Sequence, residues 1–394
     1  MEKQKICIVG GGLTGLITAI TLSKLNIKVD LVSDFNNKSN IKSNRTTAIS
    51  QKNYDFLEKL NIFKFSKKEF WPCQEMKLYT KNNEEKFVEI FDIKKNEKNN
   101  KRILYMINNN ILIKNKLREI NNCSSIKLTT KKKVSGISAS GFLKTIRFKE
   151  TNNSKYNLII LCTGNNSNLT KAVFSNQSYG HSYNETSITT VLKHNRCNNN
   201  IARQVFLDDE IFALLPISES ETSVVWTIKR NTINKSKNIL DSLLKKKIEN
   251  YINNFYQNIK FSSKLELKDI NFLIRKKYFE DRVLLFGDAL HQVHPLAGQG
   301  FNMILRDLTY LKKILSEKTS LGLDIGNSDT LSEFSNVTQP RNFAYSIGID
   351  LIKNSFSFEN YIVKNFRNKI ISDLNKIHFA KNIFYNIADK GLKF

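Results

Sequence analysis

The sequence predicts an α/β chain, α+β overall: a Rossmann-like domain on a parallel sheet, a second domain on an antiparallel sheet, and a helical C-terminal tail. Three observations carry this. An apolar run, Ile6-Cys7-Ile8-Val9, breaks at Gly10 and is followed by a mostly apolar stretch from Leu16 to Leu25. Apolar runs ahead of a glycine recur at Asn157–Leu161, before Gly164, and at Val283–Phe286, before Gly287. Between these two, residues 187–230 alternate apolar and polar with period two.

Each element follows from its pattern. Strands of a parallel sheet are buried on both faces, so Ile6–Val9 reads as one. Leu16–Leu25 reads as the helix after it and Lys28–Val32 as the next strand, completing a βαβ unit. Residues 46–70 look helical with loops, 71–101 mix strand with polar loop, and 103–120 suggest a helix. Short strands with turns such as Ser140-Gly141 fill 126–150. Ser187–Leu192, Gln204–Phe206, Ile211–Leu215 and Thr222–Ile228 read as an antiparallel sheet. A helix is expected over 239–257, and from 299 onward the pattern is mainly helical.

A chain of 394 residues exceeds one ordinary core. Because the nucleotide-binding signals recur at 10, 164 and 287, one domain is expected from 1–72, 102–180 and 273–335 together. The antiparallel domain then comprises 73–101 with 181–272, and 336–394 form the helical C-terminal region. There is no internal repeat.

The chain carries 62 Lys and Arg against 36 Asp and Glu, a formal net charge of +26. That excess fits attraction to an anionic membrane surface or to nucleic acid. It fits a coding bias better, since Lys and Asn crowd even the loop 94–101. Nucleic-acid binding finds no support: Lys131–Lys133 and Lys245–Lys247 are short runs without interleaved aromatics, and no zinc-finger spacing occurs. Five scattered cysteines, Cys7, Cys73, Cys123, Cys162 and Cys197, include no CxxC, so neither a disulfide framework nor a zinc site is implied. Cys7 and Cys162 sit in apolar runs, as buried thiols of a reducing compartment do. No signal peptide is read before Ile6, and no apolar run reaches the roughly 18 residues of a membrane span. A cytoplasmic chain is expected, with peripheral contact at the inner face of the membrane left open. The oligomeric state is not encoded.

Two motifs carry chemistry. Gly10-Gly11-Gly12-Leu13-Thr14-Gly15 fits GxGxxG between a strand and a helix. Gly10 allows a tight turn, Gly12 a close backbone approach to a pyrophosphate, and Gly15 close helix–strand packing; the helix N–H groups then face the phosphates. The ribose-binding acid belongs about 20 residues on, where Ser33 and then Asp34 stand. The second motif runs from Gly287-Asp288 through His294-Pro295-Leu296-Ala297-Gly298-Gln299-Gly300-Phe301-Asn302. An acid at a strand's carboxyl end points into the ligand crevice and can accept hydrogen bonds from a polyol. Pro295 stiffens the backbone, Gly298 and Gly300 admit a flat ligand, and the following helix aims its N–H groups at negative charge on that ligand.

The run GDALHQVHPLAGQGFNMILRD resembles the signature of the flavoprotein aromatic hydroxylases of ubiquinone biosynthesis, within the para-hydroxybenzoate hydroxylase class. GGGLTG, the segment Asn44–Ser50, Phe212–Pro216 and Val224–Trp226 are similar to the same family, in order over nearly the whole chain. The resemblance implies a Rossmann-like FAD-binding domain and a substrate domain. It implies reduction of FAD by NADH or NADPH, addition of O2 as a flavin C4a-hydroperoxide, and hydroxylation of a polyprenylated phenol. It places FAD on Gly10, Gly12, Leu13, Thr14, Gly15, Ser33, Asp34, Arg45, Gly164, Gly287, Asp288, Pro295, Gly298, Gln299, Gly300, Phe301 and Asn302. Leu215, Pro216, Trp226 and Pro295 would line the substrate. No catalytic side chain and no metal are needed, because the flavin carries the chemistry. The chain departs from the family at Cys162-Thr163-Gly164, where an Ala-Asp-Gly-like segment is usual, and at Ser33, where a glutamate is. Two rivals stand beside this reading: a flavoprotein acting on a small aromatic substrate, and an idle flavin-binding scaffold subunit of a quinone-biosynthesis complex.

His291 and His294 form the one close histidine pair and lack further metal ligands in sequence, so they read as motif residues. Arg306 and Asp307 read as structural ion-pair formers on a helix. The tail from 342 places Phe343, Ile347, Leu351, Phe356, Tyr361, Phe366, Ile370 and Phe379 at helical spacing. Packing on the substrate domain, a membrane surface and a partner are its three readings.

Overall fold

The computed structural model describes residues 3–34, 43–62, 67–82, 84–94, 102–148, 153–164, 167–174, 177–207, 209–233, 237–356 and 361–391. Their helices are α1 (Leu13–Leu22), α2 (Gln51–Lys59), α3 (Asn109–Asn121), α4 (Asn168–Val173), α5 (Lys237–Ile252), α6 (Gln299–Ser320), α7 (Ser328–Ser355), α8 (Tyr361–Asn375) and α9 (His378–Lys390).

The apolar runs pair as their composition requires. A six-stranded sheet has the order Phe279–Glu280, Val283–Leu285, Leu158–Leu161, Lys5–Val9, Lys28–Val32, Ile126–Thr129. All neighbours are parallel except the edge strand Phe279–Glu280. Val9 lies level with Val32 and with Leu161, and Leu161 with Leu285. The chain therefore leaves four strands along one edge, at Gly10, Ser33, Cys162 and Phe286. Their side chains are almost wholly buried, and α1 packs beside them with everything from Gly15 to Leu22 buried.

The second large sheet contains the alternating segments. Its order is His291–Gln292, Glu266–Arg275, Ser178–Lys193, Glu221–Lys229, Ile211–Pro216, Ile201–Phe206, Glu75–Lys81, Phe87–Lys94. It is antiparallel except where Ile201–Phe206 pairs parallel with Glu75–Lys81. Alternation gives the sheet two different faces. Ile188, Phe212, Leu214, Val224, Trp226 and Ile228 pack against Leu244, Ile248 and Ile252 of α5. On the other face, Leu215, Ala202 and Val225 meet Ala48, Cys73, Leu104 and Met106. Further along that face, Ile90 and Phe206 meet Leu296, Met303, Tyr345, Ile349 and Phe356.

Three sequence expectations change. Residues 46–70 begin with a strand, Thr46–Ser50, before α2, and 103–120 begin with another, Leu104–Asn108, before α3. These two pair antiparallel and carry Trp71–Cys73 at one side; short strands running straight into helices leave a merged apolar pattern. Helix α7 runs through position 336, where the C-terminal region is expected to begin. In the tail, Asp92 joins Asn375 and Lys381 of α8–α9 at 3.0 and 2.6 Å, and Phe91 meets Phe384 edge-on. No helix among the described residues is long and apolar enough to cross a membrane.

A Cβ at Gly15 would fall 1.9 Å from the Gly10 carbonyl oxygen, whereas one at Gly136 would meet nothing. Gly15→Ala should therefore destabilise the chain by more than about 3 kcal/mol, and Gly136→Ala by less than about 0.5 kcal/mol, in urea unfolding. Equal costs would contradict this packing.

Candidate functional site

At the carboxyl edge of the parallel sheet the first motif is shaped by backbone contact. Gly10 has φ +125°, and a Cβ there would lie 2.4 Å from the Cys162 carbonyl oxygen. Gly12 differs: its φ is −71°, and a Cβ would meet nothing within 4 Å. It precedes α1, whose N-terminus has no side-chain cap and no acid in the first turn. Uncapped N–H groups behind an open glycine are the arrangement that suits an anion. Gly287, at φ +68°, would push a Cβ to 2.6 Å from Thr14 Cγ2. That contact brings the two motifs together across some 270 residues of chain. Asp288 follows, exposed, at the end of its strand. Gly164, at φ +74°, borders open space.

The second motif folds as a turn, Leu296–Gly298, into α6. Gly298, at φ +65°, sits where a Cβ would be 2.8 Å from Ala48 Cβ, and it caps α6 with no side-chain bond. Pro295, Gly300 and Phe301 are half-buried around it. Asn302 is a correction to the sequence expectation. Its side chain is 0% exposed: Oδ1 accepts from Ser50 N and Asn53 Nδ2, and Nδ2 donates to the Ala48 and Gly298 carbonyls, all at 2.9–3.1 Å. It holds the loop against the strand Thr46–Ser50 and has no bond left for a ligand. Gln299 is likewise turned inward, its Oε1 accepting from the Tyr345 hydroxyl at 2.7 Å, so its contribution at the helix start is its backbone.

The remaining expected residues divide. Ser33 is buried and Asp34 exposed, which makes Asp34 the accessible acid at that strand end. Arg45 lies beside the loop, with Nε 3.0 Å from Glu266 Oε1; Glu266 also accepts from Asn44 N. Leu215 and Pro216 are buried, Leu215 on the face toward Ala48 and Met106. Trp226 is a second correction: it is 1% exposed on the α5 face, with Nε1 donating to Glu210 at 3.1 Å. Val225, one residue earlier, packs on the opposite face, in the cluster with Ala48, Met106 and Leu215. Period two puts neighbours on opposite faces, and the motif alone did not say which was inward.

Sequence reasoning missed the acids that hold the histidines. His291 Nε2 lies 2.9 Å from Asp307, which also accepts from Asn342. His294 Nε2 lies 3.1 Å from Glu185, whose other oxygen is 2.8 Å from Lys353 of α7. His294 and Glu185 are 109 positions apart, and no spacing signal joins them. The two histidines face different carboxylates, and no group of three or more metal-ligating side chains occurs among the described residues. Burial, outweighing Glu185, holds the His294 pKa below its usual value of 6.5. Neither Arg306 nor Asp307 forms the expected ion pair with a Lys, Arg, Asp or Glu side chain among the described residues: Asp307 is bonded to His291 and Asn342, and the Arg306 guanidinium lies 4.3 Å from the Tyr345 ring centroid.

Two uncapped, acid-free helix N-termini and an open glycine suit an extended ligand with phosphates at one end. A sequence profile described as FAD binding domain matches residues 3–320. The chain belongs to this FAD-binding family. As a flavoprotein it is similar to "Ubiquinone biosynthesis monooxygenase COQ6, mitochondrial" of Dictyostelium discoideum, 25% identical over 97% of this chain and 90% of that one. Similarity to "Ubiquinone hydroxylase UbiL" of Rhodospirillum rubrum is 28%, over 54% of this chain and about half of that one (49%). Among solved structures, p-nitrophenol 4-monooxygenase PnpA from Pseudomonas putida superposes with a TM-score of 0.81 over all of both chains at 14% identity, which shows the shared fold.

A histidine buried in its neutral form makes stability depend on acid. Below its usual pKa of 6.5 the unfolded chain binds a proton that the folded His294 refuses, so stability falls as pH drops. Denaturant unfolding between about pH 7 and pH 5.5 should show this fall, with a slope of up to about 1.4 kcal/mol per pH unit from this group. His294→Gln should be less stable at neutral pH and lose part of the slope; an unchanged slope would contradict the assignment.

Proposed function

We propose that this flavoprotein hydroxylates the aromatic ring of a polyprenylated phenol in ubiquinone biosynthesis, with NADH or NADPH as electron donor and O2 as co-substrate. The observation that carries the reading is the similarity to the Dictyostelium relative, named a ubiquinone biosynthesis monooxygenase, across almost the full length of both chains. The bound FAD supplies the redox and oxygen chemistry. The protein's own work is to bind, orient and exclude water.

In this reading the α1 N-terminus and Gly12 hold the pyrophosphate, Asp34 the ribose, Asp288 the ribityl hydroxyls, and Arg45 the flavin edge. The α6 N-terminus behind Gly298 offers N–H donors to negative charge on the reduced ring. The apolar surface of Ala48, Met106, Leu215 and Val225 keeps the reacting ring dry. The departure at Cys162-Thr163-Gly164 leaves the backbone turn intact, since Gly164 keeps the positive φ that turn uses. A peripheral association with the membrane is part of the proposal. Phe366 and Ile370 on α8, and Phe379 and Ile383 on α9, are exposed pairs four residues apart, accompanied by Lys369, Lys376 and Lys390.

Purified protein should carry a flavin absorbance at about 450 nm that NADH or NADPH bleaches anaerobically, as expected of a nicotinamide-reduced flavoenzyme. In a hydroxylase-deficient strain it should restore quinone, and the intermediate that disappears identifies the ring carbon. A flavin that no nicotinamide reduces would favour an idle subunit. Reduction and oxygen uptake without complementation would favour a small aromatic substrate.

A further inference from the structure

The strand Ser178–Lys193 is the longest among the described residues, and the expected boundary between the two domains, at 180–181, falls inside it. Its ladder to Glu266–Arg275 breaks at one place. Ser182 stands opposite Asn271 and Glu185 opposite Ile270, so Tyr183 and Asn184 have no ladder partner on that strand. Asn184 has φ +53°, in the left-handed region that a non-glycine residue adopts only where its surroundings hold it. A bulge of this kind re-aims the side chains beside it. Both neighbours of Asn184 are aimed at other parts of the chain. The Tyr183 hydroxyl donates to Asp350 of α7 at 2.7 Å. Glu185, buried, has one oxygen 3.1 Å from His294 Nε2 and the other 2.8 Å from Lys353 of α7.

Burial raises the Glu185 pKa, but the His294 and Lys353 hydrogen bonds outweigh it and hold the group below its usual value of 4.5, so it is ionised at neutral pH. A carboxylate only accepts, which puts the bonding proton on His294 Nε2. Nδ1 then carries a lone pair; it is buried and has no hydrogen-bond partner among the described residues. The Tyr183 ring meets the imidazole edge-on, with 5.3 Å between centroids. Among the described residues one polar bond, to Glu185, therefore orients the imidazole. The same histidine opens the turn of the second motif: its carbonyl accepts from Leu296 N at 2.7 Å, across Pro295. Ring and carbonyl belong to one residue, so a displaced ring displaces the turn Leu296–Gly298, from which α6 starts uncapped.

We propose that Glu185 is a positioning residue for the flavin: aimed by the bulge, it holds His294, and through His294 it sets the turn at Pro295–Gly298 against the isoalloxazine ring. The proposal rests on the reading that this turn borders the flavin. Donors fixed in advance stabilise the negative charge that develops on the reduced ring, and donors on a loosened turn do so less. The reach of the carboxylate to His294 is the property that matters. Lys353 keeps the carboxylate charged and ties it to α7, so the large antiparallel sheet, α7 and the flavin turn are registered at one side chain.

The test uses the full chain and reads the FAD dissociation constant, the midpoint potential of the bound flavin, and Tm. Glu185→Asp keeps the charge beside Lys353 and shortens the reach by a methylene. It should raise the dissociation constant on the order of tenfold, as losing a side chain that orients a ligand-holding group does, and lower the potential. Should Glu185→Asp fail to fold, His294→Leu removes the same bond from its other end and should give both shifts. Glu185→Gln keeps the reach, and its amide can still bond His294 Nε2, so both flavin values should stay near those of the unmodified chain even where Tm falls. Tyr183→Phe removes the Asp350 bond from the same bulge and should lower Tm alone. Pro295→Ala, in the turn itself, is the control for the underlying reading. An altered potential in Pro295→Ala with an unaltered one in Glu185→Asp would overturn the proposal. Equal shifts in Glu185→Asp, Glu185→Gln and Tyr183→Phe that follow Tm alone would do the same. Flavin values unaltered in both Pro295→Ala and Glu185→Asp would overturn the reading of the turn, and the proposal with it.

Discussion

Where the first motif meets the parallel sheet, backbone lies against backbone with no room for a side chain. The Gly10 carbonyl occupies the space a Cβ at Gly15 would need, and the Cys162 carbonyl the space of one at Gly10. Gly287 is pressed instead against the Thr14 side chain. These contacts decide where the rest of the site can be. They draw α1 close under the strand ends, leave its N-terminus uncapped at the crevice, and set Asp288 beside the loop that begins at Gly10. The level ends of the four strands then make a continuous edge from segments widely separated in the chain.

A second layer keeps the other end of the crevice in place by polar side chains. Asn302 ties the strand Thr46–Ser50, helix α2 and the Gly298 turn into one unit. Asp389 of α9 accepts from Lys52 N at the start of α2, so the C-terminal helices brace the same strand from behind. His294, Glu185 and Lys353 connect the Pro295 turn to the large sheet and to α7. Removing one partner from such buried sets costs about 1–3 kcal/mol per group left unsatisfied. These loops and helix starts are therefore held in place by the fold itself.

Much of this was legible in the sequence, for physical reasons that differ by residue. Ile6–Val9, Leu158–Leu161 and Val283–Leu285 are short, apolar and closed by glycine, and little but a central parallel strand suits that pattern. The glycines announce themselves because only they fit such approaches. What stayed hidden depends on long-range pairing. Trp226 and Val225 could not be assigned to faces until the strand was set against α5. Asn302 looked like a ligand because the motif places it near one, and three of its four bonds go to groups some 250 residues away that no spacing rule connects. Thr46–Ser50 merged with α2 because five residues are too few to show a period. Glu266 carries no motif, yet it determines where Arg45 sits.

The central claim is that the α1 N-terminus behind Gly12 receives the FAD pyrophosphate. Gly12 adopts ordinary extended angles, φ −71° and ψ 175°, with open space beside it, so a larger residue there is compatible with folding. The measurement is an FAD-binding titration of Gly12→Val, alongside its thermal unfolding without flavin. The account predicts an apo-protein as stable as the unmodified chain that no longer retains FAD through gel filtration. A Gly12→Val protein that folds normally and binds FAD with unchanged affinity would contradict it.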